Sequence, residues 1–186
     1  MPEELIVRHC APTLAGIKSG SLFSCPYRTR DAFLGEIRDF NRRYASRGLC
    51  MLPLRYWKDK ALVYLFRPQA LACDLRKKDA AKLLAEAGYE SLEPAACITL
   101  LRKKLARDAG FPHEIGLFLS YPPEDVRGFI ENHAENFKCV GVWKVYGDAD
   151  KAQKIFEKYK KCTDFYSRCI HSGIGISALA VNTGKG

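Results

Sequence analysis

The run Ala61-Leu62-Val63-Tyr64-Leu65-Phe66 constrains this chain more than any other segment. A strand that is apolar on both faces belongs in the centre of a sheet, covered above and below. The polar turn Tyr56–Lys60 joins it to Leu49–Arg55, so residues 49–67 are expected to form a β-hairpin. Pro53 marks the first of the two strands as an edge or as irregular there.

The rest of the chain is read outward from this hairpin. Residues 1–28, punctuated by Pro12, Gly16, Gly20 and Pro26, read as irregular, with room for a short opening helix. Thr29 or Asp31 starts a helix whose apolar positions Phe33, Leu34, Ile37, Phe40 and Tyr44 follow helical spacing, and Gly48 ends it. Three short basic helices follow the hairpin: Pro68 to Cys73–Leu75, Asp79 to Ala87, and Pro94 to Gly110. Beyond them, Glu114–Tyr121, Lys138–Tyr146 and Ile174–Val181 read as strands. They alternate with a helix from Pro122-Pro123 to about His133 and a long helix from Gly147-Asp148 to about Ile170. Strand–helix–strand–helix–strand over residues 112–181 implies crossover helices and a parallel or mixed sheet. The expectation is one α/β domain over residues 1–186.

Hydrophobic residues make up 47% of 186. At roughly this length a chain buries about 70% of its unfolded surface, so no metal or disulfide staple is required. No apolar run approaches the ~18–20 residues of a membrane helix. The opening Met1-Pro2-Glu3-Glu4 is acidic where an export signal is basic, which points to a cytoplasmic protein. The eight cysteines form no Cys-x-x-Cys pair, so free thiols are expected. A net charge of +9 favours anionic partners without identifying one.

Two constellations carry possible chemistry. The first gathers His9, Cys10, Cys25, His113 and Cys139, the residue types of metal sites and thiol catalysis. Their spacings are not diagnostic, and buried cysteines with a loop histidine rank ahead of metal or thiol chemistry as the reading. In a parallel sheet His113 precedes its strand and Tyr121 follows it, so the two should lie at opposite ends. The second constellation is the rim made by Ser120-Tyr121-Pro122 and Tyr146-Gly147-Asp148. Ligands of open α/β sheets bind beyond the carboxyl ends of the strands, where helix N-termini favour an anion. The same residues also fit ordinary turns, with Asp148 as a helix cap. Lys18-Ser19-Gly20-Ser21 reads as a lid over such a site. Trp143 and Lys144 should face opposite sides of a strand, the tryptophan toward the core. The cations Arg76, Lys77, Lys78, Lys82, Arg102, Lys103, Lys104 and Arg107 have few aromatics among them. With Arg42, Arg43 and Arg47 they offer a nucleic-acid-binding face, and a solvated helix face ranks above it.

Four segments together carry a family resemblance: residues 4–18 (ELIVRHCAPTLAGIK), 50–56 (CMLPLRY), 112–126 (PHEIGLFLSYPPEDV) and 139–146 (CVGVWKVY). The chain resembles the bacterial domain-of-unknown-function 3793 family, found mostly in anaerobic Gram-positive bacteria. Ser120 stands where that family carries glycine. The resemblance implies no catalytic residues, and it associates the chain with flavodoxin, an acidic protein partner. No reaction, substrate or cofactor follows from the sequence. The functional expectation is an accessory protein that binds a small anionic ligand, metal or redox cofactor. Tyr121, Lys144, Tyr146, Lys18 and Ser19 are its ligand candidates, and His9, Cys10, Cys25, His113 and Cys139 its metal or thiol candidates. The alternative is a basic interaction module for nucleic acid or an acidic protein.

Overall fold

The computed structural model describes residues 1–107 and 111–183. The expected end of the third basic helix at Gly110, and Gly184–Gly186 of the tail, lie outside the described residues. The chain divides into two compact units, one of residues 1–70 and 162–186, the other of residues 71–161.

In the first unit the hairpin is present as β2 (Cys50–Tyr56) and β3 (Lys60–Phe66). The segment read as irregular supplies a helix, α1 (Glu3–Leu14), and a third strand, β1 (Gly20–Pro26). The sheet order is β1-β3-β2 and every pairing is antiparallel, so the doubly apolar segment is central. Ala61, Val63 and Leu65 join the main core with Ile6, Cys10 and Leu14 of α1. Leu62, Tyr64 and Phe66, on the other face, are buried as well. β2 is an edge, and its register shifts between Pro53 and Arg55, where proline removes a ladder donor.

The helix α2 (Arg30–Tyr44) is capped by Thr29, whose hydroxyl accepts the Ala32 N–H. Phe33, Ile37, Phe40 and Tyr44 are buried on one face, at about 2 kcal/mol each for removal from water. From the same helix Asn41 donates to the Met51 carbonyl and accepts the Met51 N–H, at 2.8 and 2.7 Å. One amide thus satisfies backbone groups that an edge strand leaves open.

Arg67, 2% exposed, follows the central strand. Its guanidinium donates to the carbonyls of Thr13, Leu14, Arg47 and Val181 and to the Thr183 hydroxyl. Two of these carbonyls are at the C-terminal end of α1, where a cation complements the helix dipole. The fork of donors ties α1, the turn after α2 and the C-terminal segment together.

The second unit is helical: the end of α3 (Pro68–Leu75), α4 (Lys78–Glu86), α5 (Pro94–Ala106), α6 (Ile115–Phe118), α7 (Pro123–Glu131) and the start of α8 (Ala149–His171). Its only strands among the described residues are β4 (Cys139–Val140) and β5 (Lys144–Val145), an antiparallel pair of two residues each. The expected parallel sheet and its crossovers are therefore corrected. Glu114–Tyr121 makes one helical turn, and Ile174–Val181, in the first unit, contains α9 (Ile176–Leu179). Short apolar runs fit a buried helix as well as a buried strand, and only packing decides between them. Lys138–Tyr146 folds back on itself at Gly141–Trp143. A Cβ on Gly141 would sit 2.3 Å from the Phe156 ring, so that turn requires a bare backbone. No helix among the described residues is long and apolar enough to cross a membrane.

Candidate functional site

The second unit holds a pocket of about 340 Å³ with a mainly apolar lining. It gathers residues from three stretches of chain: His113 and Gly116 around α6, Tyr121, Val126 and Phe129 through α7, and Val140–Lys144 of the β4–β5 hairpin. Three of the sequence candidates, His113, Tyr121 and Lys144, line this pocket together.

His113 and Tyr121 meet because the chain between them is not a strand. Eight residues of extended chain would hold them about 26 Å apart. The turn of α6 shortens that span, and Ser120 closes it in the left-handed region at φ 57°. That conformation favours glycine, the residue the resemblance places there. The Ser120 hydroxyl donates to Asp74 at 3.0 Å, which offsets part of the strain. Gly116 lets the chain close: a Cβ there would meet Val126 at 2.8 Å and Tyr121 at 3.0 Å.

Trp143 and Lys144 do not face opposite sides. Trp143 lies in the hairpin turn rather than in a strand, so both line the pocket. Tyr121 and Phe156 pack against the indole, with ring centroids at 4.9 and 4.5 Å. The Tyr121 hydroxyl donates to the Val142 carbonyl, and burial pushes its pKa up. The Lys144 ammonium donates to the Ala134 carbonyl at 2.7 Å and lies 4.7 Å from the centre of the Phe137 ring. It thereby fastens a loop in which His133, Ala134 and Asn136 are all left-handed. His113 is exposed and packs edge-on against Phe129 at 5.0 Å. Its neighbour Glu114 turns inward, where Lys104 at 2.6 Å and the Tyr89 hydroxyl at 3.2 Å both donate to it.

The residue that sequence reasoning missed is Asp125. It is 3% exposed, at the first turn of α7. One carboxylate oxygen accepts the Tyr146 and Gly147 N–H groups at 2.8 and 2.7 Å; the other accepts the Trp143 indole N–H at 2.6 Å. The rim of Tyr121 and Tyr146–Gly147 was expected to receive an anion. Its anion is built in, as Asp125. Backbone amides preceding a helix are the signal, and a carboxylate in the Pro-Pro-Glu-Asp turn was the missing partner.

The remaining candidates are placed elsewhere. Tyr146 is not among the pocket residues; its ring lies against Gly128, and its hydroxyl is buried without a hydrogen-bond partner among the described residues. Lys18 and Ser19 belong to the first unit. Ser19 is buried and its carbonyl accepts the Arg67 N–H, while Gly20 and Ser21 are paired in β1, so this segment is not a lid. Burial pushes the Lys18 ammonium down to about 8. Asp148 caps α8 by accepting the Lys151 N–H.

The metal and thiol candidates divide between the units. His9, Cys10 and Cys25 lie in the first, and His113 and Cys139 in the second. His9 stacks on Phe23, and its pKa is lowered by burial and by Arg8. Cys10 and Cys25 are fully buried, and burial raises both thiols, which disfavours the thiolate that metal binding and nucleophilic attack require. Cys139 is half-buried in the β4–β5 pair. Among the described residues no group of three or more His, Cys, Asp or Glu side chains could hold a metal.

Several cations of the basic middle stretch are engaged within the protein. Arg76 pairs with Glu93, Lys77 with Asp74 and Lys104 with Glu114. Comparison with curated proteins and with solved structures gives no match. A family model, described as a protein of unknown function, matches residues 6–180, nearly the whole chain. The chain belongs to the DUF3793 family.

Proposed function

We propose that this protein is a small-molecule-binding protein whose second unit holds a compact, flat, largely apolar ligand bearing one anionic group. The observation that carries this reading is the pocket: about 340 Å³, walled by Trp143, Tyr121, Phe129 and Val142, with Lys144 and His113 as its basic groups. Its volume is within the range of ligand sites, which are mostly apolar with a few polar groups that fix orientation. Asp125 keeps the indole in place from behind. Both its oxygens are occupied, so the carboxylate positions the wall instead of meeting the ligand. One Lys144 proton goes to Ala134, and the ammonium carries two more for a carboxylate or sulfonate.

The test uses naphthalene carboxylate and the uncharged naphthalene carboxamide, read by quenching of Trp143 in a Trp57→Phe background. The carboxylate should bind about tenfold more tightly, the effect of roughly 1.4 kcal/mol. Lys144→Met should abolish that preference and Lys144→Arg should keep it, with melting curves confirming that each variant is folded. Failure of both compounds to bind below ~1 mM, about −4 kcal/mol, would sink the proposal.

A further inference from the structure

The first unit carries a second feature, unrelated to the pocket. At one end of its sheet, the β2–β3 turn and the link from β1 to α2 bring together Tyr27, Tyr56 and Trp57 with five cations: Arg28, Arg30, Arg55, Lys58 and Lys60. The acids of these two loops are Asp31 and Asp59, so the end keeps a surplus of three positive charges. Among the described residues Arg28, Arg30, Lys58 and Lys60 have no ion pair. This contrasts with Arg76, Lys77 and Lys104.

The loops are held by their own contacts. The Tyr27 N–H donates to the Asp59 carbonyl and its hydroxyl to the Trp57 carbonyl, both at 3.0 Å. The Trp57 N–H donates to the Lys60 carbonyl at 2.7 Å. Tyr56 stands edge-on to Tyr27 and Phe33 at 5.7 and 6.3 Å. The guanidinium of Arg30 covers the Tyr56 ring at 4.7 Å, and that of Arg55 covers Trp57 at 5.4 Å. Trp57 is nevertheless 43% exposed, a large apolar side chain left partly in water at a turn. Beside the aromatics a groove of about 440 Å³ is lined by Tyr27, Arg28, Phe33, Glu36 and Asp59 among others.

We propose that this end of the first unit is a docking surface for single-stranded nucleic acid, with Trp57 as a base-stacking platform and Arg28, Arg30, Lys58 and Lys60 as phosphate contacts. Charge alone would suit any polyanion. The aromatics decide: the exposed indole of Trp57 offers a π face to an unpaired base, which an acidic peptide lacks and a duplex keeps stacked inside. The sequence scattered these residues over positions 27–60, and the antiparallel pairing Pro26↔Lys60 brings them to one edge.

Fluorescence anisotropy of a labelled oligonucleotide of about 12 nucleotides tests this, at a length that fits one binding module. Micromolar binding at ~150 mM salt is expected, with a log–log salt slope of about −2 to −3 for four phosphate contacts. Trp57→Ala should weaken it about tenfold, the usual cost of one stacked base, with no change in melting temperature. Arg30→Glu with Lys58→Glu should abolish it. Lys154→Glu with Lys158→Glu, exposed on α8, should leave it unchanged and exclude a general polycation effect. Equal affinity for the matching duplex, poly-glutamate or phosphatidylserine vesicles would overturn the proposal, as would full affinity in Trp57→Ala. The carboxylate assay above reads a pocket in the other unit, so either proposal can fail without the other.

Discussion

The two units solve the problem of buried polar groups in opposite ways. The first builds around a sheet, and a single cation, Arg67, gathers four backbone carbonyls and a hydroxyl, with no carboxylate among its partners in the described residues. The second has almost no sheet, and a single anion, Asp125, gathers two backbone N–H groups and an indole. The first unit's hub therefore repairs chain ends that strands and helices leave open. The second unit's hub fixes the wall of a pocket. A buried charge with every donor or acceptor matched is tolerable, and removing it leaves all its partners unsatisfied at once.

That contrast can be broken from either side. The largest effect is expected from Arg67→Met, which strands five acceptors and should cost about 3–5 kcal/mol in urea unfolding. Arg67→Lys should recover little, because an ammonium cannot reach acceptors spread across the arginine fork. A loss under ~1 kcal/mol would show that the C-terminal segment is not held by this clamp.

Asp125→Asn should cost about 2–3 kcal/mol, because an amide NH₂ then faces either the indole N–H or the Tyr146 and Gly147 donors. The same variant should shift Trp143 emission to the red, read without Trp57. Unchanged emission would mean that the pocket wall stands without Asp125.

The next effect is one of pH. Burial, with Asp74 nearby, pushes the Tyr159 phenol up to about 12. Between its ordinary pKa near 10 and that value, the folded protein keeps a proton that the unfolded chain has lost. This phenol alone accounts for a loss of about 2 kcal/mol of stability as pH rises from 10 toward 12, and Tyr159→Phe should remove that part of the alkaline decline. A flat stability profile in the parent protein over this range would contradict the burial of this phenol.

The smallest effect sharpens the comparison at its weakest point. Tyr146 buries a hydroxyl that neither hub satisfies. Tyr146→Phe should be neutral or stabilise by up to about 1 kcal/mol, and should leave carboxylate binding in the pocket unchanged. A marked loss of binding would restore Tyr146 to the site.

The two units also differ in how much of them the sequence disclosed. The hairpin, its edge strand with Pro53 and the helix 30–44 were legible, because period and turn chemistry are local properties. So were the helices started by Pro68, Pro94 and Pro123, and the long helix after Asp148. Glu114–Tyr121 was not, since an eight-residue apolar run has the same pattern as buried helix or strand. The misreading mattered for function: as a strand it separates His113 from Tyr121, and as a turn it brings them to one pocket. Ser120 held the clue, at a position where the backbone is left-handed and the resemblance led one to expect glycine.

The sequence by itself determined a central apolar strand, the helix boundaries set by proline and glycine, and the family. Only the tertiary structure decided that the sheets are antiparallel and that Asp125 fills the expected anion position. It also decided that Arg76, Lys77 and Lys104 of the middle stretch meet acids while Arg30 and Arg55 near the hairpin turn lie over aromatic rings. The physical reason is range. Capping, turns and periodicity are written into a few neighbouring residues, whereas partners such as Arg67 and Val181 are joined only when the chain closes on itself.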